Sequence, residues 1–180
     1  MNTEKLEKSI GYIFKDKELL KRAFTHTSYS YEHHTESNEK LEFLGDSILE
    51  FVSSKYIYNN YPNLKEGEMT KVRAEVVCED SLYIVASRHH FSDFLYLGKS
   101  EELSSGRTKP AILADSVEAL IAAMYFDGGL AEAERFIIEN LKDAIKVSSQ
   151  NVGMKDHKTI LQEKLQEHGS VNINYEIIKT

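Results

Sequence analysis

Asn38-Glu39-Lys40-Leu41-Glu42-Phe43-Leu44-Gly45-Asp46-Ser47 opens a proline-free run to Asn60 that decides how the chain folds. Its apolar residues recur at intervals of three and four, the period of a helix and not of a strand. Leu41, Leu44, Ile48, Phe51 and Val52 fall away from the charged side, and Tyr61-Pro62-Asn63 ends the run. Glu39, Glu42 and Asp46 stand three and four residues apart, so at about 3.6 residues per turn they share one narrow stripe. Phe43 sits beside that stripe and away from Leu41, Leu44 and Ile48, which makes it a poor core residue for its own chain. Like charges at these spacings repel by roughly a few tenths of a kcal/mol per pair, and Lys40 lies off the stripe. A solvated acidic face and a cation site are both open from these residues alone.

A second pair, Asp115 and Glu118, repeats the three-residue spacing on a helix rich in small residues: Ala111, Ala114, Ala119, Ala122 and Ala123. Small side chains let helices approach closely, so two acidic faces can meet. Four carboxylates without His or Cys would select Mg²⁺ or Mn²⁺, which prefer oxygen ligands. A di-iron bundle would need Glu-x-x-His, and none of the seven histidines has a Glu three residues before it. His33, His34, His89 and His90 are therefore expected at the surface or at helix ends, and His26 in a structural role.

The rest of the 180 residues is consistent with a helical domain. Helices are predicted near 4–9, 16–26, 38–60, 67–77, 79–90, 110–126, 130–147 and 156–168. Pro110 suits a first helical turn, and Asp127-Gly128-Gly129 suits a helix end. Ser104-Ser105-Gly106-Arg107-Thr108-Lys109 reads as a polar loop. Hydrophobic residues make up 41% of the chain, enough for a core. The longest near-apolar stretch, Ala119 to Phe126, is far short of the roughly 20 residues that span a bilayer, and the N-terminus mixes both charge signs, unlike a secretory signal. No membrane partner and a cytoplasmic location are expected. The single cysteine, Cys78, excludes an internal disulfide and is expected to be a buried thiol.

The net charge of −7 argues at first against a polyanionic partner. The excess acid is concentrated, however: residues 1–152 hold 18 basic and 25 acidic groups, and 153–180 hold four of each. The segment 148–155 reads as a polar linker. Beyond it comes a helix, then Val171 to Ile178, where Ile173, Tyr175 and Ile177 alternate as in a strand. A lone strand has no partner for its backbone, so this tail is expected to be the opening of a second domain, unable to bury a core of its own.

The motif at 38–47 closely resembles the signature helix of bacterial ribonuclease III. Three further blocks agree in order: Thr25-His26-x-Ser28, then Glu66-Gly67-x-Met69-Thr70-x-x-Arg73-Ala74, then Ile112-Leu113-Ala114-Asp115-x-x-Glu118-Ala119-Leu120-Ile121-Ala122-Ala123 with Asp127-Gly128-Gly129. The likeness covers residues 3–147. It implies an all-α endonuclease domain over 1–147, a homodimer, and double-stranded RNA held between subunits, with each subunit cutting one strand. Glu42, Asp46, Asp115 and Glu118 match the Mg²⁺-binding carboxylates, with Mn²⁺ able to substitute; Asp46 and Glu118 are the expected catalytic pair. Glu39 and Glu66 match acidic residues of the cleft, and Phe43 a dimer-interface phenylalanine. No organic cofactor is implied. The implied products carry 5′-phosphate and 3′-hydroxyl ends with short 3′ overhangs, from ribosomal RNA precursors and other structured transcripts.

An acidic domain that binds RNA needs local cations to position the backbone, and Lys71, Arg73, Arg107 and Lys109 are the candidates. Residues 156–167 resemble the first helix of a double-stranded-RNA-binding domain of α/β type, incomplete here, in which Gln162 and Glu163 would face the minor groove. Two other readings use the same carboxylates or fold. A non-catalytic RNA or ribonucleoprotein binding relative would be expected to lose metal carboxylates, and all four are present. A helical nucleotide pyrophosphohydrolase usually has its paired motifs closer in sequence than Glu42 and Asp115.

Overall fold

The computed structural model describes residues 3–166, with side chains for 3–152 and for Lys164. Every regular element among them is helical: α1 (Thr3–Ile10), α2 (Lys17–Ala23), α3 (Thr27–His33), α4 (Glu39–Asn60), α5 (Glu66–Val76), α6 (Glu79–Arg88), α7 (Lys99–Leu103), α8 (Pro110–Gly128) and α9 (Leu130–Gln166). Short 3-10 turns occupy Phe91–Asp93 and Gly106–Thr108. No helix among the described residues is long and apolar enough to cross a membrane.

The central element is α8. Ile112, Leu113, Val117, Leu120, Ile121 and Met124 are buried around it, so it has no wet face for most of its length. The helices α2, α4, α6 and α9 pack on it. Along α4, Leu41, Ile48, Leu49, Val52 and Ile57 face this core. The closest approach falls at Gly45, where an added Cβ would lie 1.8 Å from the carbonyl oxygen of Glu118. Only a residue without a side chain lets the two backbones meet there.

Loop chemistry fixes the ends. Asp16 Oδ1 accepts the backbone N–H groups of Glu18 and Leu19 at 3.0 and 3.1 Å, capping α2. The Asp127 carboxylate accepts the Tyr12 hydroxyl at 2.7 Å and the N–H groups of Lys15 and Asp16 at 3.0 and 2.8 Å, tying the α1–α2 turn to the end of α8. Pro110 opens α8, and Gly129 closes it at φ 87°.

Four expectations need correction. The predicted helix over 16–26 is α2 followed by a separate α3, because Phe24 to His26 turn aside to pair with Tyr96. Phe51 does not join the core face of α4; it is 56% exposed. Cys78 is exposed, in extended backbone just before α6, with its thiol donating to the Glu75 carbonyl. The segment 148–155 is not a break: α9 runs through it, with Ser148 Oγ donating to Glu75 Oε2 at 2.7 Å, Ser149 Oγ donating to the Lys146 carbonyl and Val152 buried. Serines bonded in this way are compatible with a packed helix although their composition mimics a linker. The predicted strand over 171–178 lies outside the described residues.

Candidate metal centre

The α4–α8 contact at Gly45 sets the site. One residue along α4, and one turn before it, stand Asp46 and Glu42; α8 presents Glu118 at the contact itself and Asp115 one turn earlier. Single carboxylate oxygens of Glu42, Asp115 and Glu118 lie within 4.8 Å of one another, and all three side chains are half-buried. Asp46 is outside this triple and exposed, yet close enough for its charge to act on both glutamates. The four carboxylates make no hydrogen bond or ion pair with another side chain among the described residues.

Uncompensated charge shows in the proton affinities. Burial, then the charges of Asp46, Asp115 and Glu42, pushes the Glu118 carboxyl up to about 8. Burial also raises Glu42, with Asp115, Glu39 and Asp46 adding to it. Asp115 is raised by burial, against the pull of His26 and with the push of Glu79. Oxygen-only donors that repel one another and lack a protein cation fit a hard divalent ion, whose charge would relieve all of them at once.

The remaining predicted residues are dispersed. Glu39 is exposed at the start of α4, where it accepts from Ser37 Oγ at 2.9 Å. Glu66 lies away from the carboxylate triple, in a groove of about 560 Å³ between α4 and α5 that Phe51, Tyr58, Met69 and Arg73 also line. Within it, Arg73 donates to Ser54 Oγ at 3.0 Å. Arg107 grips Glu102 through two bonds of 2.7 Å and donates to the Ser92 and Leu95 carbonyls at 2.7 and 3.0 Å. Lys109 pairs with Glu101 at 2.6 Å, and Lys71 is exposed. Phe43 is 78% exposed, as its place beside the acidic stripe predicts. Gln162 and Glu163 fall in α9, outside the described side chains.

Two neighbours of the site were not among the candidates. Glu79 opens α6 and acts on Asp115 across a gap in sequence that no periodicity spans. His26 also acts on Asp115. Its presence in the Thr25-His26-x-Ser28 block was a signal, but one that did not point to Asp115.

Comparison with known proteins agrees with this architecture. A family model described as Ribonuclease-III-like matches residues 16–145. The chain is 47% identical over 178 residues to Ribonuclease 3 of Listeria monocytogenes, covering 97% of this chain and 77% of that protein. It is 47% identical over 176 residues to Ribonuclease 3 of Caldanaerobacter subterraneus, with the same coverage. The nuclease domain of Ribonuclease III from Campylobacter jejuni superposes with a TM-score of 0.73 at 39% identity, over 78% of this chain and 99% of that one. That domain is described as flexible in a region involved in dimer formation.

Proposed function

Because the chain belongs to the ribonuclease III family and is thereby an endoribonuclease, we propose that it hydrolyses double-stranded RNA with Mg²⁺ in the cytoplasm. The products carry 5′-phosphate and 3′-hydroxyl ends, and the substrates are ribosomal RNA precursors and other structured transcripts. The observation that carries this reading is the convergence of Glu42, Asp115 and Glu118 within 4.8 Å from two different helices.

In this reading Glu42, Asp46, Asp115 and Glu118 hold the cation, with Asp46 and Glu118 as the catalytic pair. The bound cation would stabilise negative charge on the phosphoryl oxygens and lower the pKa of the attacking water. Glu118 gives up the proton that its burial favours and becomes an anionic ligand. Asp46, being exposed, offers its carboxylate on the open side of the site, where a phosphodiester can approach. Glu39 and Glu66 handle substrate in the cleft. Arg73, Arg107 and Lys109 contact phosphates by exchanging their present partners Ser54, Glu102 and Glu101. Gln162 and Glu163 face the minor groove, on the resemblance of their helix to that of an RNA-binding domain.

Two chains form the working unit, a homodimer. Phe43, Phe51 and Tyr58 are 78%, 56% and 71% exposed and lie on one side of α4, next to the groove on α5. Such a row of aromatic residues is suited to burial against a second copy.

The test is cleavage of a long perfect RNA duplex at low salt, with Mg²⁺ or with chelator, by the natural chain and by Glu118→Gln. Fragments formed only by the natural chain with Mg²⁺ are expected. Binding of the duplex without cleavage would overturn the nuclease reading in favour of a binding module.

A further inference from the structure

The loop that precedes α8 carries two cations, and both are answered by the same short helix. Arg107 Nη1 donates to the Ser92 and Leu95 carbonyls at 2.7 and 3.0 Å, which fixes the plane of the guanidinium. Its other edge, Nε and Nη2, is a two-pronged donor, and Glu102 of α7 fills it with one carboxylate oxygen on each prong at 2.7 Å. Lys109, the residue before Pro110, donates to Glu101 Oε1 at 2.6 Å and to Ser104 Oγ at 3.3 Å. Gly106 makes this arrangement possible: an added Cβ would lie 2.8 Å from the Glu101 carbonyl oxygen, so a residue without a side chain lets the loop fold back against α7. Release of these carboxylates does not open the core. No residue of α7 is buried, and the helix is tied to α3 at its start, where Ser28 Oγ accepts the Gly98 N–H at 2.9 Å and Glu32 Oε1 accepts the Lys99 N–H at 2.8 Å.

A carboxylate seated on both prongs of a guanidinium has the geometry of a phosphodiester's two free oxygens on the same prongs. Lys109 stands six residues before Asp115, roughly 9 Å along the helix axis, so the occupied cations border the carboxylate site. We infer that Glu101 and Glu102 are an autoinhibitory pair: as stand-ins for phosphate they occupy Lys109 and Arg107, and so set how strongly a polyanion must compete before it engages the site. This inference rests on the RNA reading above, which names the two cations, and adds the residues that restrain them. An isolated anion meets one occupied cation at a time. A duplex presents neighbouring phosphates to both and releases its own counterions in doing so, which lets it displace two attached carboxylates.

Glu102→Gln keeps an acceptor for Arg107 and removes the charge that competes with phosphate. Binding of a perfect RNA duplex to the full chain in chelator, followed by fluorescence anisotropy, is expected to tighten about two- to fivefold in Glu102→Gln, the worth of one exposed ion pair, and further when Glu101→Gln is added. In an Arg107→Gln background the Glu102→Gln gain should vanish. A gain that persists there is a long-range effect of charge and would overturn the inference. Equal or weaker binding by Glu102→Gln, with the natural chain still binding and cutting the duplex, would overturn the inference alone and leave the ion pairs a purely structural role. Failure of both the natural chain and Glu102→Gln to bind the duplex would overturn the RNA reading and this inference with it. A measurement on the natural chain covers the case in which Arg107→Gln does not fold: the Arg107 Nε–H resonance should shift as duplex is added, and a resonance that stays in place in the bound chain would sink the proposal.

Discussion

Glu118 combines burial with three like-charged neighbours, and its protonation ties folding to pH. Its carboxyl titrates near 8 in the folded chain and near the ordinary glutamate value when unfolded. Between those values the folded state holds a proton that the unfolded state has lost, so cation-free stability falls as pH rises through this window and levels off above it. Thermal melting without divalent cations should therefore give a lower melting temperature at pH 8.5 than at pH 5.5, in roughly the window this shift defines. Mg²⁺ competes with the proton, and its stabilising effect should be larger at the higher pH. Glu118→Gln should flatten the slope and melt above the natural chain at pH 8.5; an unchanged slope would assign the effect elsewhere. Single residues were legible where one helix decided them, as with Phe43. Cys78 and Phe51 were misread because their exposure depends on where a helix begins and on which neighbour is absent.

Between elements, the α4–α8 contact is the feature on which the site depends. A Cβ at Gly45 would meet a backbone carbonyl, which cannot swing aside as a side-chain tip can. Gly45→Ala is expected to destabilise by about 1–3 kcal/mol, the usual range for overpacking, and to weaken Mn²⁺ binding by parting Glu42 from Glu118. Gly67 in α5 provides the control, since nothing lies within 4 Å of its added Cβ. Gly67→Ala should be neutral or stabilise by up to about 1 kcal/mol, because alanine has the better helix propensity. Denaturant unfolding of the two variants checks both; equal effects would remove the close-contact argument. The long helices were legible from period and punctuation. The short α3 and α7 were not, since one or two turns give too little period to read. The continuity of α9 past residue 147 was hidden because Ser148 finds its partner, Glu75, only once α5 is beside it.

For the molecule as a whole, the proposed homodimer would bury the exposed aromatic row on α4. Removing Phe43, the most exposed of the three, should weaken the dimer while leaving the fold intact, since the ring contributes little to its own chain's core. Sedimentation at low micromolar concentration is expected to show Phe43→Ala shifted toward monomer with an unchanged melting profile of the monomeric unit. An unchanged dimer would place the interface elsewhere. Cleavage should fall with dimerisation if the duplex lies between subunits, and a fully active monomer would contradict that arrangement.

The sequence alone determined the all-helical architecture, the pairing of acidic residues at helical spacing and the exposure of Phe43. Each follows from local periodicity, which one stretch of chain carries by itself. Tertiary structure decided that Glu42, Asp115 and Glu118 meet while Asp46 stays at the edge, that Arg107 and Lys109 are engaged in ion pairs, and that His26 and Glu79 border the site. Those facts depend on how closely two helices pack and on which distant loop folds over them, and that packing is a property of the assembled core rather than of any segment.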